Sequence, residues 1–436
     1  MPTPYIMHPQ LQGAFDRTLG RPEMLALTAC ALVLRELESS DSDNESDSDS
    51  DSDDLTAELA LSAIVALHIS RRLRASAALD LGGRSRVTDA SVFDAHTCRL
   101  WFRFSAPQLD ELTHRMGLHA YGTRVVSGHD VFEPQEALLI TLYKLAFPAR
   151  LIQMAQVFNR HPSALSRAFN WVIGVYKRRF DGWIFGNTAS KHDLERWRRF
   201  IPEWAAAARD KGLLFEAIGH LDGSRLEICR PGEYQEVLYN GYYGRHCLNF
   251  LSFIALCGLT PFLYGPACGM DHDAKLYDKS GLQRKLRRLF RGFEEEYPTL
   301  GLSADSAFGV ELYLYALFKA RKGAPLTAEE KELCALAAPR VNAPSDATCM
   351  LLSNTNTSRL GRIAVEWSYK EMKGYFKMLG LKDGLQLWGS KHGVGTVFRI
   401  CAFFANARAC VNGGNQISTY FGVSTPPLSW YLSGDM

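Results

Sequence analysis

The sequence predicts an α/β fold in which a mixed sheet flanked by helices follows an all-helical segment. From about Phe102 to Phe180, apolar residues recur at helical spacing. After Gly212 the chain changes to strand-like runs rich in aromatic and aliphatic residues. Strands that come first and then alternate with helices are typical of a sheet flanked by helices.

Length and composition indicate a globular protein with more than one folding unit, since the 436 residues are 47% hydrophobic and 22% charged. The formal net charge is +2. Residues 39–54 hold eight acidic side chains and no basic one, so the rest of the chain carries about +10. A basic body fits a polyanion partner, although proteins that never touch nucleic acid often have a similar charge.

The ten cysteines include no C-x-x-C pair, which argues against a zinc ribbon or finger. The longest early apolar stretch runs from Met24 to Leu34, about half the length of a membrane span. We therefore expect a soluble intracellular protein with reduced cysteines and no membrane partner.

Residues 1–90 are expected to form peripheral helices around the acidic run SSDSDNESDSDSDSDD at 39–54. Such a run cannot bury apolar area and is predicted to stay disordered. It is either a solvated spacer or a phosphorylation tract whose added charge repels DNA.

Residues 91–185 are expected to form a helical domain, in which Ser105 caps one helix and Pro134 and Pro162 open two others. A short helix, a turn at Arg160 and a longer helix resemble a helix-turn-helix unit that presents Arg160 and Arg167 to DNA. Two packed helices with a short turn are equally common in helical domains that bind no DNA.

Residues 212–412 are expected to hold the sheet, followed by a tail at 413–436. A helix is predicted from about Lys279 to Phe290, and then a short strand GLSADSAF. Two more helices flank a connection from Arg321 to Asn356, and an apolar helix ends at Gly413. The run RKLRRLFR at 284–291 is either a weak import signal or an exposed basic helix.

Three acids stand out by their context. Asp222 lies within an apolar strand, Asp305 follows the strand LSAD, and Glu366 lies on a helix. Hard divalent cations prefer oxygen ligands of this kind. An Asp after a strand is also a common turn or cap residue, and Glu366 has the spacing to pair with bases four positions away.

Basic residues share one stripe of the helix that carries Glu366, within an arc of about 80°. An acid among bases suits a metal-binding carboxylate beside a phosphate backbone, but an ordinary solvated face has the same pattern. The candidate phosphate contacts are Arg359, Arg362, Lys370 and Lys373.

The segment from Leu221 to Leu282 resembles the start of the nuclease domain of PIF/Harbinger-type transposases. Its Asp222-Gly223-Ser224 is similar to the family's Asp-Gly-Thr-like start, and GMDHD at 269–273 is similar to its Gly-x-x-His-Asp element. ADSAF at 304–308 and RIAVEWSYKEMK at 362–373 resemble the motifs of the second and third carboxylates. The resemblance extends from about Phe102 to Leu432, with Tyr369 and Lys370 where Phe and Gly are usual.

This resemblance implies an RNase H-like fold with a DDE active site, in which Asp222, Asp305 and Glu366 hold two Mg²⁺ or Mn²⁺ ions. The expected activity is DNA cleavage, with joining of the cut ends in a transposase. Asp273 either shapes the site from behind the three carboxylates or holds its own loop in place. The family also implies a Myb-like DNA-binding partner, and a homo-oligomer and a nuclear location are further expectations.

Two other functions remain open. A domesticated protein keeps the fold as a DNA-binding or protein-interaction module without transposition. A different metal-dependent phosphodiesterase cleaves many nucleic acids and joins none.

Overall fold

The computed structural model describes residues 86–121, 125–127, 130–185, 194–212, 216–305, 307–308, 312–316, 356–381, 385 and 392–433. The predicted peripheral helices within residues 1–85 and the acidic run lie outside these residues, as does most of the connection from Arg321 to Asn356. The proposed division of the chain at 90, 185, 212 and 412 stays a prediction.

Helices form the first part of the described chain. Their bounds are α1 Ala95–Phe102, α2 Ala106–Arg115, α3 Pro134–Ala146, α4 Leu151–Phe158, α5 Pro162–Arg179 and α6 Asp181–Ile184. The predicted starts are confirmed: Ser105 is the N-cap of α2, and prolines open α3 and α5. Asn159 takes a left-handed conformation that ends α4 just before α5.

The strands of the described residues form a central sheet and, apart from it, a small hairpin. The hairpin pairs β1 Val125–Ser127 with β2 Asp130–Phe132. The strands of the sheet are β3 Ala217–Glu227, β4 Tyr239–Asn240, β5 Arg245–Ala255, β6 Phe262–Cys268, β7 Gly301–Ala304 and β8 Leu314–Ala316.

The central sheet is mixed, as predicted. Strand β3 pairs antiparallel with β5 and parallel with β7, and β7 pairs parallel with β8. Strands β6 and β4 both pair antiparallel with β5, along the edge that β3 does not use. This order and these directions are consistent with an RNase H-like fold.

Helices cover the sheet. Their bounds are α7 Ile201–Asp210, α8 Gln235–Leu238, α9 Asp273–Ser280, α10 Leu282–Phe290, α11 Asn356–Tyr375, α12 Val394–Val411, α13 Gln416–Phe421 and α14 Leu428–Ser433. Helix α11, which carries Glu366, contacts β3, β5 and β7. Helix α7 contacts β3, and α9 contacts β5 and β6.

Helix α12 is the core helix that joins the helical part to the sheet, since it contacts α5, α11 and β6. It is the one helix among the described residues that is long and apolar enough to cross a membrane, and 78% of it is buried inside the protein. Arg399 of α12 is also buried, and its guanidinium donates to Asp181 and to the main-chain oxygens of Leu263 and Gly265. With a further bond to the main-chain oxygen of Asp181, each nitrogen of this buried guanidinium donates to an acceptor.

Three local predictions are wrong. The predicted helix over Lys279–Phe290 is broken at Gly281, whose φ of +65° ends α9 and lets α10 start in a new direction. The helix expected before Arg321 is a strand over Leu314–Ala316, because β7 offers a free edge with which it pairs in parallel. The predicted strand GLSADSAF also ends earlier, at Ala304.

Candidate active site

The register of two neighbouring strands brings Asp222 and Asp305 together. In the parallel pair β3–β7, His220 lies opposite Ser303, and Leu221 lies opposite Ala304. Asp222 and Asp305 directly follow this last pair in the sequence. Neighbouring strands of a sheet lie about 4.8 Å apart. Asp222 is half-buried within β3, whereas Asp305 is exposed just beyond the end of β7.

A hydrogen bond two positions before the aspartates links the strands that lead to them. The buried His220 Nδ1 lies 2.6 Å from Ser303 Oγ, so these two side chains point to the same side. Successive side chains alternate across a strand, and therefore Asp222, two positions after His220, shares that side of β3. The same hydrogen bond links the two strands that carry the carboxylates.

His220 is buried within the electrostatic reach of Asp305. Burial lowers the pKa of His220 to about 4, although the negative charge of Asp305 acts to raise it. His220 is therefore held neutral, and its ring serves as a hydrogen-bonding group in this face of the sheet.

Asp273 lies over the backbone of Gly223, the residue after Asp222. A Cβ at position 223 would overlap the carboxylate of Asp273, so any larger residue there would push the Asp273 side chain aside. Burial raises the pKa of Asp273, and the charge of Asp305 raises it further, while Arg225 and His272 act in the opposite direction. The structure thus places Asp273 within the electrostatic reach of Asp305.

Glu366 lies on α11, about one helical turn before a residue that contacts β3. Tyr369, three residues later, has its hydroxyl 3.4 Å from the main-chain oxygen of Asp222. Residues three apart on a helix are neighbours on one face. Glu366 is exposed and begins a stretch of the helix in which Lys370 and Lys373 are exposed as well.

Tyr369 was noted in the sequence only as a departure from a family pattern. Burial and the charge of Asp222 raise the pKa of its hydroxyl, while hydrogen bonding to Ser252 and Ser224 acts to lower it. The hydroxyl therefore stays protonated, and it ties α11 to the strand that carries the first aspartate. A phenylalanine here would lose this link.

The remaining predicted site residues fall into different surroundings. Arg359 and Arg362 lie on α11, but their side chains are outside the described residues. Arg167 is half-exposed and paired with Asp130 of β2. The expectation that Arg160 is exposed is wrong.

Arg160 is only 8% exposed because it completes the helical core. Its guanidinium donates to both carboxylate oxygens of Glu136, at 2.6 and 2.7 Å, and to the main-chain oxygen of Val131 at 2.8 Å. Glu136 is fully buried, so the pair neutralises two charges inside the protein. A side chain engaged in this way is not available to a DNA backbone.

Within the described parts of the chain, no group of three or more His, Cys, Asp or Glu side chains is close enough to hold one metal ion. The donor chemistry nevertheless fits a hard divalent cation, because Asp222 and Asp305 supply carboxylate oxygens at adjacent register positions. Glu366 is the third carboxylate on the helix that covers these strands.

Residues 221–343 match the family model of the DDE superfamily endonucleases. The matched segment contains Asp222 and Asp305 and ends before Glu366. The match supports a transposase-like nuclease that acts on DNA, in agreement with the mixed sheet. No curated protein and no solved structure matches the chain at a significant level.

Proposed function

We propose that this protein is a metal-dependent DNA endonuclease of the transposase kind, with Asp222, Asp305 and Glu366 as its catalytic carboxylates. The observation that carries the proposal is the register of β3 and β7, whose last pair, Leu221 and Ala304, directly precedes the two aspartates within the segment that matches the endonuclease family. Helix α11 packs on the same strands and contributes the glutamate.

The three carboxylates would hold two Mg²⁺ or Mn²⁺ ions. Such ions, when bound, activate water or a 3′-hydroxyl and stabilise the leaving oxygen of a phosphodiester. The chain itself contributes positioning and charge: Lys370 and Lys373 are exposed on the glutamate helix, where cations attract a phosphate backbone. Tyr369 and the His220–Ser303 hydrogen bond hold the carboxylate-bearing elements together.

The PIF/Harbinger affiliation, joining of the cut ends, a Myb-like partner, a homo-oligomer and a nuclear location are parts of the same proposal. They rest on the resemblance of the motifs in the sequence. Terminal inverted repeats around the gene, or a neighbouring reading frame for a Myb-like protein, would support them.

The first experiment is cleavage of DNA that carries the gene's own flanking ends, with Mg²⁺ or Mn²⁺ present. We expect Asp222→Asn, Asp305→Asn and Glu366→Gln each to lower the cleavage rate at least ~100-fold, because each removes a charged metal ligand. Asp278→Asn is the matched control, since Asp278 is an exposed acid on α9 away from these strands. Joining of the cut ends would identify a transposase.

Three outcomes would contradict the proposal. Binding without cutting, with a Myb-like partner supplied, would favour the domesticated DNA-binding module. Cleavage that survives in all three variants would place the active site elsewhere. Cutting of unrelated nucleic acids without any joining would favour a different phosphodiesterase.

A further inference from the structure

Helix α10 has two chemically opposite faces. Leu282, Leu286, Leu289 and Phe290 are fully buried. The other side carries three exposed arginines at the spacing of a single helical face, and a fourth exposed arginine directly follows the last residue of the helix. We call these residues the basic stripe: Arg284, Arg287, Arg288 and Arg291.

No described acid forms an ion pair with an arginine of the basic stripe. Two of the three acids that follow α10 in the chain are engaged elsewhere. Glu294 accepts hydrogen bonds from the amide of Gly292 and the hydroxyl of Tyr313. Glu296 is hydrogen-bonded by Tyr297. The positive charge of the stripe is therefore presented to solvent.

Arg198 removes the one feature of α10 that would repel an anion. The last carbonyl oxygens of a helix carry a partial negative charge. The Arg198 guanidinium donates to the main-chain oxygens of Arg288, Leu289 and Arg291 at 2.9, 2.8 and 2.6 Å. A cation thus covers the negative end, and it adds a positive charge beside the stripe.

The basic stripe is connected to the candidate active site by a single short helix. Asp273, beside Gly223, is the first residue of α9, and α10 begins directly after Gly281. Eight helical residues span about 12 Å, and the stripe itself is about 10 Å long. Successive phosphates of one DNA strand rise about 3.4 Å along the duplex, so the stripe has the length of about three phosphates.

We propose that the basic stripe of α10 binds the phosphate backbone of duplex DNA that flanks the cut site. This inference rests on the proposed nuclease function for the identity of the DNA. The stripe would add to the affinity for DNA but not to the selectivity for a sequence, because guanidinium contacts to phosphates carry no information about the bases.

The test uses the full-length protein and a fluorescent duplex of the flanking DNA, with EDTA present so that no cleavage occurs. The stripe variant is Arg284→Gln, Arg287→Gln and Arg288→Gln together. Fluorescence anisotropy is measured over a range of salt concentrations. We expect Kd to rise about 10-fold and the slope of log K against log [salt] to become shallower by about 2 to 3, as for three lost phosphate contacts.

The matched control is Arg99→Gln, Lys177→Gln and Arg178→Gln, which removes the same charge from exposed positions of α1 and α5. The control should leave the slope of log K against log [salt] within about 1 of the value for the natural protein. Salt screens charges that lie far from the bound DNA, so a change in net charge alone has little effect. Circular dichroism and thermal unfolding establish that both variants are folded. Equal slopes for the stripe variant and the natural protein would overturn the inference.

Failure of the inference and failure of the proposed function give different results. If Asp222→Asn binds DNA as the natural protein does, and the stripe variant does not, the inference holds whether or not the protein cuts. If the natural protein cuts DNA and the stripe variant binds it unchanged, only the inference fails. If the natural protein binds no DNA, both fail.

Discussion

At the scale of single residues, the site depends on polar side chains two positions before each aspartate. His220 precedes Asp222 on β3, and Ser303 precedes Asp305 at the end of β7. Their hydrogen bond spans the two strands at 2.6 Å. The histidine and the serine at these positions could have indicated the site from the sequence, because alternation along β3 places His220 on the same face as Asp222.

Ser303→Ala is expected to loosen this link. It leaves a ring nitrogen of buried His220 without its partner, which should cost about 1–3 kcal/mol in the free energy of unfolding. Because the register of Asp305 is then held less firmly, kcat for cleavage should fall by ~10-fold with KM for DNA unchanged. Urea unfolding and steady-state kinetics measure the two effects.

Ser303→Thr keeps the hydroxyl and is the conservative control for this position. It should restore kcat to near the natural value if the hydrogen bond is what matters. Natural kcat in Ser303→Ala would show that the strands hold their register without the side-chain link.

The elements that carry the candidate carboxylates could be predicted from sequence, and the catalytic role of these residues stays a prediction. The surroundings of the basic residues could not be predicted. Asp222 and Asp305 follow apolar strand residues, and that local pattern survives folding. Arg160 precedes a helix and has the sequence context of an exposed residue, yet Glu136, 24 positions earlier, draws it into the core. Long-range pairing of this kind leaves no local pattern.

At the scale of elements, boundaries were predictable where proline, serine or glycine acts locally. The starts of α3 and α5 at Pro134 and Pro162 are of this kind. The strand β8 was not predictable, because Leu314–Ala316 is too short to show alternation and is defined by pairing with β7. The order of strands in the sheet likewise depends on contacts between distant segments.

The buried pair of Glu136 on α3 and Arg160 before α5 should stabilise the helical part only as a pair. Glu136→Gln leaves the guanidinium charge buried and uncompensated, so it should lower the free energy of unfolding by about 3–5 kcal/mol. The Arg160 side chain also lies over the ring of Phe132, with 5.0 Å between the guanidinium carbon and the ring centroid. Urea denaturation measures the loss.

The double variant Glu136→Gln with Arg160→Met distinguishes an ion pair from simple packing. It should be more stable than Glu136→Gln alone, since no unpaired charge remains in the core. Additive losses in the double variant would mean that the two side chains stabilise the protein independently.

At the scale of the whole molecule, the carboxylates belong to different segments, because Glu366 on α11 follows Asp305 by more than sixty positions. A metal ion bound by all three carboxylates would need these segments to be folded together, so it would bind the native state and not the unfolded chain. Ligands that bind only the native state raise its stability according to their concentration relative to Kd.

Mn²⁺ should therefore stabilise the natural protein against heat, by about 2.7 kcal/mol at a concentration 100 times its Kd. Chelation by EDTA should reverse the gain. In the double variant Asp222→Asn with Asp305→Asn the gain should disappear, as measured by thermal scanning with and without Mn²⁺. An equal gain in both proteins would show that the ion binds elsewhere.

The parallel register of β3 and β7 also has a consequence for how this chain can change in length. Asp222 and Asp305 lie 83 positions apart, as His220 and Ser303 do, but the sheet rather than that number determines how close they are. Residues inserted into the turn at 291–300, between α10 and β7, leave the ladder intact and are expected to be tolerated. One residue inserted within Gly301–Ala304 would turn Asp305 to the opposite side of the sheet. Long insertions outside the strands are therefore compatible with activity, whereas a single misplaced residue inside one is not.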